Sequence, residues 1–246
     1  YLIYMSNNKG AKTKLDSNKK RLLKDVVDIM KHPLHNDGIH YFHDESNFQK
    51  GYAIIFGPKD TLYENGIYFF DFNFPNDYPF SPPKLTYLTN NGKTRFNPNL
   101  YRNGKVCISI LNTWKGEQWT SCQTIRSVLL TLTTLFHNKP LLNEPGIKET
   151  HRDFNNYNTI IQYRNLETAI LRVALQKLLP PQFTAVFSII KTHLIENKQK
   201  IIENIENFKE QEKEARMICC RTYNMRCNIN YGKLYEDMLA ALEQLN

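Results

Sequence analysis

Residues 51–89 carry three short strand-forming runs joined by turn chemistry, and that spacing restricts the fold more than any other feature of the chain. Residues 51–56 are aromatic and β-branched. Residues 66–74 alternate, with Ile67, Phe69, Asp71 and Asn73 on one side and Tyr68, Phe70, Phe72 and Phe74 on the other. Residues 84–89 form a shorter run. The links Gly57-Pro58-Lys59-Asp60 and Glu64-Asn65-Gly66 are turn sequences. Consecutive short strands with tight links predict an antiparallel meander rather than βαβ units. The cluster Pro75, Pro79, Pro82 and Pro83 breaks regularity between the second and third runs.

Helical periodicity flanks the meander. Ser17 or Asn18 is expected to cap a helix reaching about His32, with Leu22, Val26 and Met30 on one face. Lys19, Lys20, Arg21 and Lys24 crowd its first turns, where cations oppose the helix dipole. That pattern fits a docking surface or a solvated basic face. Thr120 or Ser121 is expected to cap a second helix over residues 123–136. Its apolar residues run all round, which predicts burial. Beyond residue 153 the apolar spacing is helical to the end, including a stretch from Phe183 that continues through Ile205 and Phe208 and a last helix over 233–245. The expected organisation is α+β: a loose polar arm over 1–16, a core over 17–165, and an all-helical extension over 166–246.

Charge and cysteine usage narrow the function. The net charge is +8 over 246 residues, with no zinc finger, RNA-recognition signature or dense basic block. The charge allows attraction to an acidic partner surface and is not by itself a nucleic-acid signature, so no nucleic-acid partner is expected. The cysteines are Cys107, Cys122, Cys219, Cys220 and Cys227. Their odd number and irregular spacing argue against a disulfide framework, and free thiols point to a reducing compartment, cytoplasmic or nuclear. No second Cys-x-x-Cys or nearby His completes a metal site around the three tail cysteines. No apolar run approaches the roughly 20 residues of a membrane span, and the first five residues are too short for a leader.

Cys107 stands out among these thiols. An Asn97-Pro98-Asn99 turn precedes it by eight residues and an Asn103-Gly104 turn lies just before it. Turns of this kind keep a nucleophile near the surface while pinning its neighbours. The competing reading of a cysteine on such a segment is a small core thiol.

Four segments, in order, carry a resemblance: Tyr78-Pro79-Phe80-Ser81-Pro82-Pro83-Lys84, Asn97-Pro98-Asn99, Gly104-Lys105-Val106-Cys107 and Gln118-Trp119. Together they resemble the ubiquitin-conjugating enzymes, over roughly residues 17–165. Asn143-Glu144-Pro145-Gly146, Asn156-Tyr157-Asn158 and the helical tail are most similar to the large Z-type subgroup. The resemblance implies a four-stranded antiparallel meander between an N-terminal helix and a buried central helix.

It also implies chemistry. An activating enzyme would pass ubiquitin or a ubiquitin-like modifier to Cys107 as a thioester, and a substrate lysine would then take it, usually with a ligase. Sulfur suits both steps as nucleophile and leaving group. ATP would be consumed by the activating enzyme, so no bound cofactor and no metal are implied. Asn99 is implied as an oxyanion partner or as the residue that holds the turn. Asn143 and Glu144 would line the approach of the amine. Lys19, Lys20, Arg21 and Lys24 would meet the activating enzyme, and Phe80, Trp119, Thr120 and Ser121 the ligase.

Two positions depart from the family. Asn97 replaces the usual His of a His-Pro-Asn turn, and the Z-type relatives share this change. Asn143 replaces an Asp that many members place at the gate, and an amide cannot take a proton from the amine. Two other classes would use the same residues. A non-catalytic ubiquitin-binding scaffold typically lacks the cysteine. A cysteine hydrolase would want a His base, and no such sequence pattern is present.

Overall fold

The computed structural model describes the chain from Ser17 to Leu245, so the arm expected over residues 1–16 lies outside the described residues. Helix α1 (Ser17–Lys31) leads into a meander of β1 (Ile39–His43), β2 (Lys50–Phe56), β3 (Ile67–Asn73) and β4 (Lys84–Tyr87). The strands lie in sequence order and pair antiparallel throughout. Ala53 sits opposite Phe70 and Phe70 opposite Tyr87, which fixes the register. The β2–β3 link works because Asp60 and Asn65 accept left-handed backbone, φ 60° at each. Gly57 is required there for a different reason: a Cβ would lie 1.7 Å from the Tyr63 carbonyl oxygen.

Both faces of the sheet are covered. Tyr68, Phe70 and Phe72 face one side, where the Tyr68 ring stacks on Phe136 just past α2 (Ile125–Thr133) with centroids 4.4 Å apart. Phe56, Phe69 and Asp71 face the other side and meet the C-terminal extension. Phe69 packs on Phe183 at 4.6 Å, Gln182 Nε2 donates to Asp71 Oδ1 at 2.7 Å, and His193 stacks on Phe56 at 3.8 Å. The alternation read from residues 66–74 therefore does not separate a wet face from a dry one. Fully burying Phe183 contributes a side chain whose truncation to Ala would cost about 3–5 kcal/mol.

The helices differ in detail from the periodicity. On α1 the buried stripe is Leu22, Val26 and Ile29, while Met30 is 60% exposed. Helix α2 is capped by Thr124, whose side chain accepts from Ser127 N in a reciprocal capping box. It buries Ile125, Val128, Leu129 and Leu132 but leaves Leu130 at the surface, so it is amphipathic rather than buried all round.

Helix α3 (Phe154–Arg164) runs through a π-helical segment, Asn165–Leu171, into the short α4 (Arg172–Ala174). Asn165 anchors that segment: its amide donates to Glu64 O and its Oδ1 accepts from the Tyr68 hydroxyl. The long helix expected from Phe183 divides at Asn197 into α5 (Phe187–Glu196) and α6 (Lys198–Gln211).

The extension is not helical throughout. A hairpin of β5 (Arg216–Cys220) and β6 (Met225–Ile229) precedes α7 (Tyr231–Glu243). Ile218, Cys220, Met225, Cys227 and Ile229 point inward at period two, which is strand patterning in a stretch too short to show a helical face. Among the described residues no helix is long and apolar enough to cross a membrane.

Candidate active site

The segment leading to Cys107 is held by side chains from three directions. Tyr63 donates to Phe96 O at 2.7 Å, and Tyr157 donates to Arg95 O at 2.8 Å. Asn97 is fully buried and uses both ends of its amide. Its Nδ2 donates to Leu135 O at 2.8 Å, and its Oδ1 accepts from Asn99 N at 2.9 Å. A short Asn therefore does local turn bonding and also ties the turn to the end of α2, which accounts for an amide at this position.

The chain then makes a narrow loop. Leu100 bridges to Val106, Gly104 N donates to Tyr101 O, and Gly104 takes φ +86°. Cys107 follows the bridge directly. Its N–H donates to Asn99 O at 2.8 Å and its carbonyl accepts from Asn99 Nδ2 at 2.6 Å. Of the two roles expected of Asn99, this bond is the turn-holding one. An amide carries two N–H donors, and a single bond is made here. Asn99 Oδ1 is buried with no donor.

Past Cys107 the chain folds back at once. Thr113 Oγ1 donates to Val106 O and accepts from Ile108 N, both at 3.0 Å, around a short 3₁₀ turn at Ser109–Leu111. Cys107 is only 2% exposed, so the near-surface thiol expected from the turns is covered in this conformation. It still differs from the other buried cysteines. Cys220 and Cys227 belong to the contiguous apolar core, where burial pushes both thiols up, whereas Cys107 stands outside that cluster. Cys122 and Cys219 are exposed.

Opposite this segment lies Asn143. Its Nδ2 approaches Asn97 Oδ1 at 3.4 Å and its Oδ1 meets His137 Nε2 at 3.1 Å. His137 Nδ1 accepts from Lys139 N, so Nε2 carries the proton that Asn143 receives. This histidine was not legible as a neighbour of the site, although it falls six residues ahead of Asn143. Glu144 is engaged from an unexpected quarter: Tyr223, at the tip of the β5–β6 hairpin, donates to its Oε2 at 2.5 Å. Burial, and then the Glu144 carboxylate, hold the Tyr223 phenol protonated well above its ordinary range.

The remaining expected residues separate into exposed and committed groups. Lys19, Lys20 and Lys24 are exposed along α1. Arg21 is committed internally: it donates to Asp25 Oδ1 at 3.0 Å, Ser121 O at 2.5 Å and Gln123 O at 2.6 Å. It clamps α1 to the loop before α2 and is not a free docking cation. Phe80 is 72% exposed, and Thr120 and Ser121 are exposed as well. Trp119, in contrast, is 8% exposed. It donates from Nε1 to Pro79 O at 2.7 Å and packs on Tyr78, so it braces the loop that carries Phe80.

Comparison with known proteins agrees with this architecture. The family model for ubiquitin-conjugating enzymes matches residues 21–164, more than half of the chain. The chain belongs to the ubiquitin-conjugating enzyme family. It is similar to "Ubiquitin-conjugating enzyme E2 Z" of Danio rerio, 38% identical over 179 residues, covering 72% of this chain and 53% of the relative. The human protein of the same name is 41% identical over 153 residues, 61% of this chain and 43% of its own length. "Probable ubiquitin-conjugating enzyme protein 17" of Caenorhabditis elegans is 36% identical over 204 residues, 76% of this chain and 28% of its own. The chain spans about half the length, or less, of these curated relatives.

Proposed function

We propose that the chain is an active thioester carrier, receiving ubiquitin or a related modifier on Cys107 from an activating enzyme and delivering it to a substrate lysine with a ligase as third partner. The observation that carries this reading is the setting of Cys107. It lies inside the family-matched segment, just past the Gly104 turn, with its own carbonyl tethered to Asn99.

In the loading step the Cys107 sulfur attacks the carbonyl of the donor's thioester. A new C–S bond forms, the donor's thiolate leaves, and one proton passes in net from one thiol to the other. In the delivery step a neutral lysine amine attacks the same carbonyl carbon, a C–N bond forms as the C–S bond breaks, and the proton lost by the nitrogen passes in net to the departing Cys107 thiolate. Asn99 serves both steps as the residue that positions Cys107, and its uncommitted N–H is the donor offered to the developing oxyanion. Its orphaned Oδ1 is an acceptor for an N–H of the incoming amine.

Asn143, braced by His137 and Asn97, frames the amine's approach without taking its proton. ATP is consumed by the activating enzyme, so the chain itself needs no cofactor. Lys19, Lys20 and Lys24 form the face offered to that enzyme, and Phe80 with Thr120 and Ser121 the face offered to a ligase. The covered state of Cys107 adds a requirement: its surroundings must open before another thioester can approach within attack distance.

The test is charging with a panel of activating enzymes and modifiers, comparing the wild type with Cys107→Ala. A reducible adduct on the wild type alone supports the carrier. No adduct with any pair points to a binding scaffold, and cleavage of ubiquitin fusions points to a hydrolase.

A further inference from the structure

The tail hairpin does more than cover the core. Its tip is fastened at three points: Thr222 donates twice to Asp153 Oδ2 at the start of α3, Tyr223 donates to Glu144 beside Asn143, and Tyr223 O accepts from the Arg102 guanidinium. Arg102 sits in the narrow loop that the Leu100–Val106 bridge closes just before Cys107. Between that loop and the hairpin lies an open cleft of about 550 Å³, lined by Gly92, Lys93, Arg102, Asn224 and Arg226. A smaller cleft of about 280 Å³ shares Arg102 and continues past Arg95 and Tyr223.

No carboxylate lines either cleft. Among the described residues Lys93, Arg102 and Arg226 form no ion pair. Arg102 Nε is buried with no acceptor. Three cations thus face one concavity uncompensated, one of them with an unused donor. A carboxylate oxygen is the group that satisfies both needs, and guanidinium forks match carboxylates in geometry.

We propose that this cleft binds an acidic segment of the acceptor protein, so that the chain selects lysines with Asp or Glu close by. The catalytic consequence rests on the carrier reading above, whereas the binding does not. The attacking lysine is itself a cation in its resting form, and a cationic cleft on the thioester loop repels it. Acidic neighbours on the acceptor reverse that sign, while neutral or basic neighbours do not, so the cleft discriminates by repulsion as well as attraction. A nucleic acid fits less well. Binding of single strands relies on open aromatic faces, and the two rings that line the smaller cleft, Tyr101 and Tyr223, both face the Arg95 guanidinium, 3.3 and 5.1 Å from their centroids.

The experiment uses fluorescence anisotropy with two labelled peptides, one with a lysine flanked by Asp and Glu and one with Asn and Gln in their place. A single-stranded RNA oligonucleotide serves as competitor. Lys93→Glu/Arg226→Glu is the variant, because both side chains are exposed and outside the catalytic residues. The acidic peptide should bind on the order of tenfold tighter at low salt, with the preference lost in the variant and weakened by added salt. Equal binding of the two peptides overturns the proposal. So does a preference that survives the variant, or displacement by RNA at lower concentration than by acidic peptide. Single-turnover discharge of loaded Cys107 onto the same peptides adds a separate arm. Normal charging with equal discharge rates refutes acceptor selection and leaves the carrier standing. Absent charging refutes the carrier, and anisotropy still decides the cleft.

Discussion

Replacing Asn97 by Ala probes the brace that shapes the active-site turn. The side chain is 0% exposed and makes two good hydrogen bonds, to Leu135 O at 2.8 Å and from Asn99 N at 2.9 Å. Alanine deletes both and leaves a buried acceptor and a buried donor unpaired, each costing about 1–3 kcal/mol. The 3.4 Å approach of Asn143 is at the weak limit and adds little. Partial relaxation places the expected loss at about 3 kcal/mol. For a chain of this length that corresponds to roughly 6–12 °C in Tm. Urea unfolding followed by circular dichroism should show the midpoint falling with an unchanged slope. Alkylation of Cys107 should speed up in parallel, because the Asn99 turn that tethers it is no longer pinned to α2. A loss below about 0.5 kcal/mol with unchanged alkylation would refute the reasoning.

Other consequences can be checked separately. Arg21→Ala should destabilise by about 2–3 kcal/mol, since it strips the counter-charge from buried Asp25, and Asp25→Asn in the same chain should recover part of that loss; full additivity would contradict the clamp. Burial, with the charges of His35 and His193, lowers His40 from 6.5 to about 4, and burial also lowers His43 and His193. The unfolded chain then takes up protons that the folded chain refuses, so stability should fall as pH drops from about 6.5 toward about 4. His40 contributes at most about 3 kcal/mol, less its partial exposure. Stability that is flat across this window, or a slope unchanged by His40→Gln, would contradict the assignment. Timed iodoacetamide labelling mapped by mass spectrometry should modify Cys122 and Cys219 first and Cys107 later; equal rates at Cys107 and Cys122 would show that its surroundings are already open.

The meander was legible because its turns and strands agree locally. The links carrying Asp60 and Asn65 and the aromatic run of β3 point to the same antiparallel sheet. Strand β1 was not, since Ile-His-Tyr-Phe-His mixes polar and aromatic residues without clear alternation and gains its place only by pairing with β2. The tail hairpin hid behind its composition: Cys219, Cys220 and Cys227 drew attention as thiols, while Ile218, Met225 and Ile229 carried the strand pattern. Cys107 stood out because its flanking turns are local, whereas Asn99 and Asn143 were reached only through the family resemblance. The contacts of Arg21 with Ser121 and Gln123, of Tyr223 with Glu144, and of His137 with Asn143 depend on how separate elements pack, and no spacing rule encodes them. The burial of Cys107 is likewise not encoded in the turns that flank it.

The most direct measurement is intact-mass analysis of the protein after incubation with activating enzyme, ATP and ubiquitin, without reductant, followed by peptide mapping of the modified cysteine. The account predicts a mass increase of one modifier, removed by thiol, mapping to Cys107 and absent from Cys107→Ala. An adduct that maps to Cys122 or Cys219, or one that persists in Cys107→Ala, would contradict it.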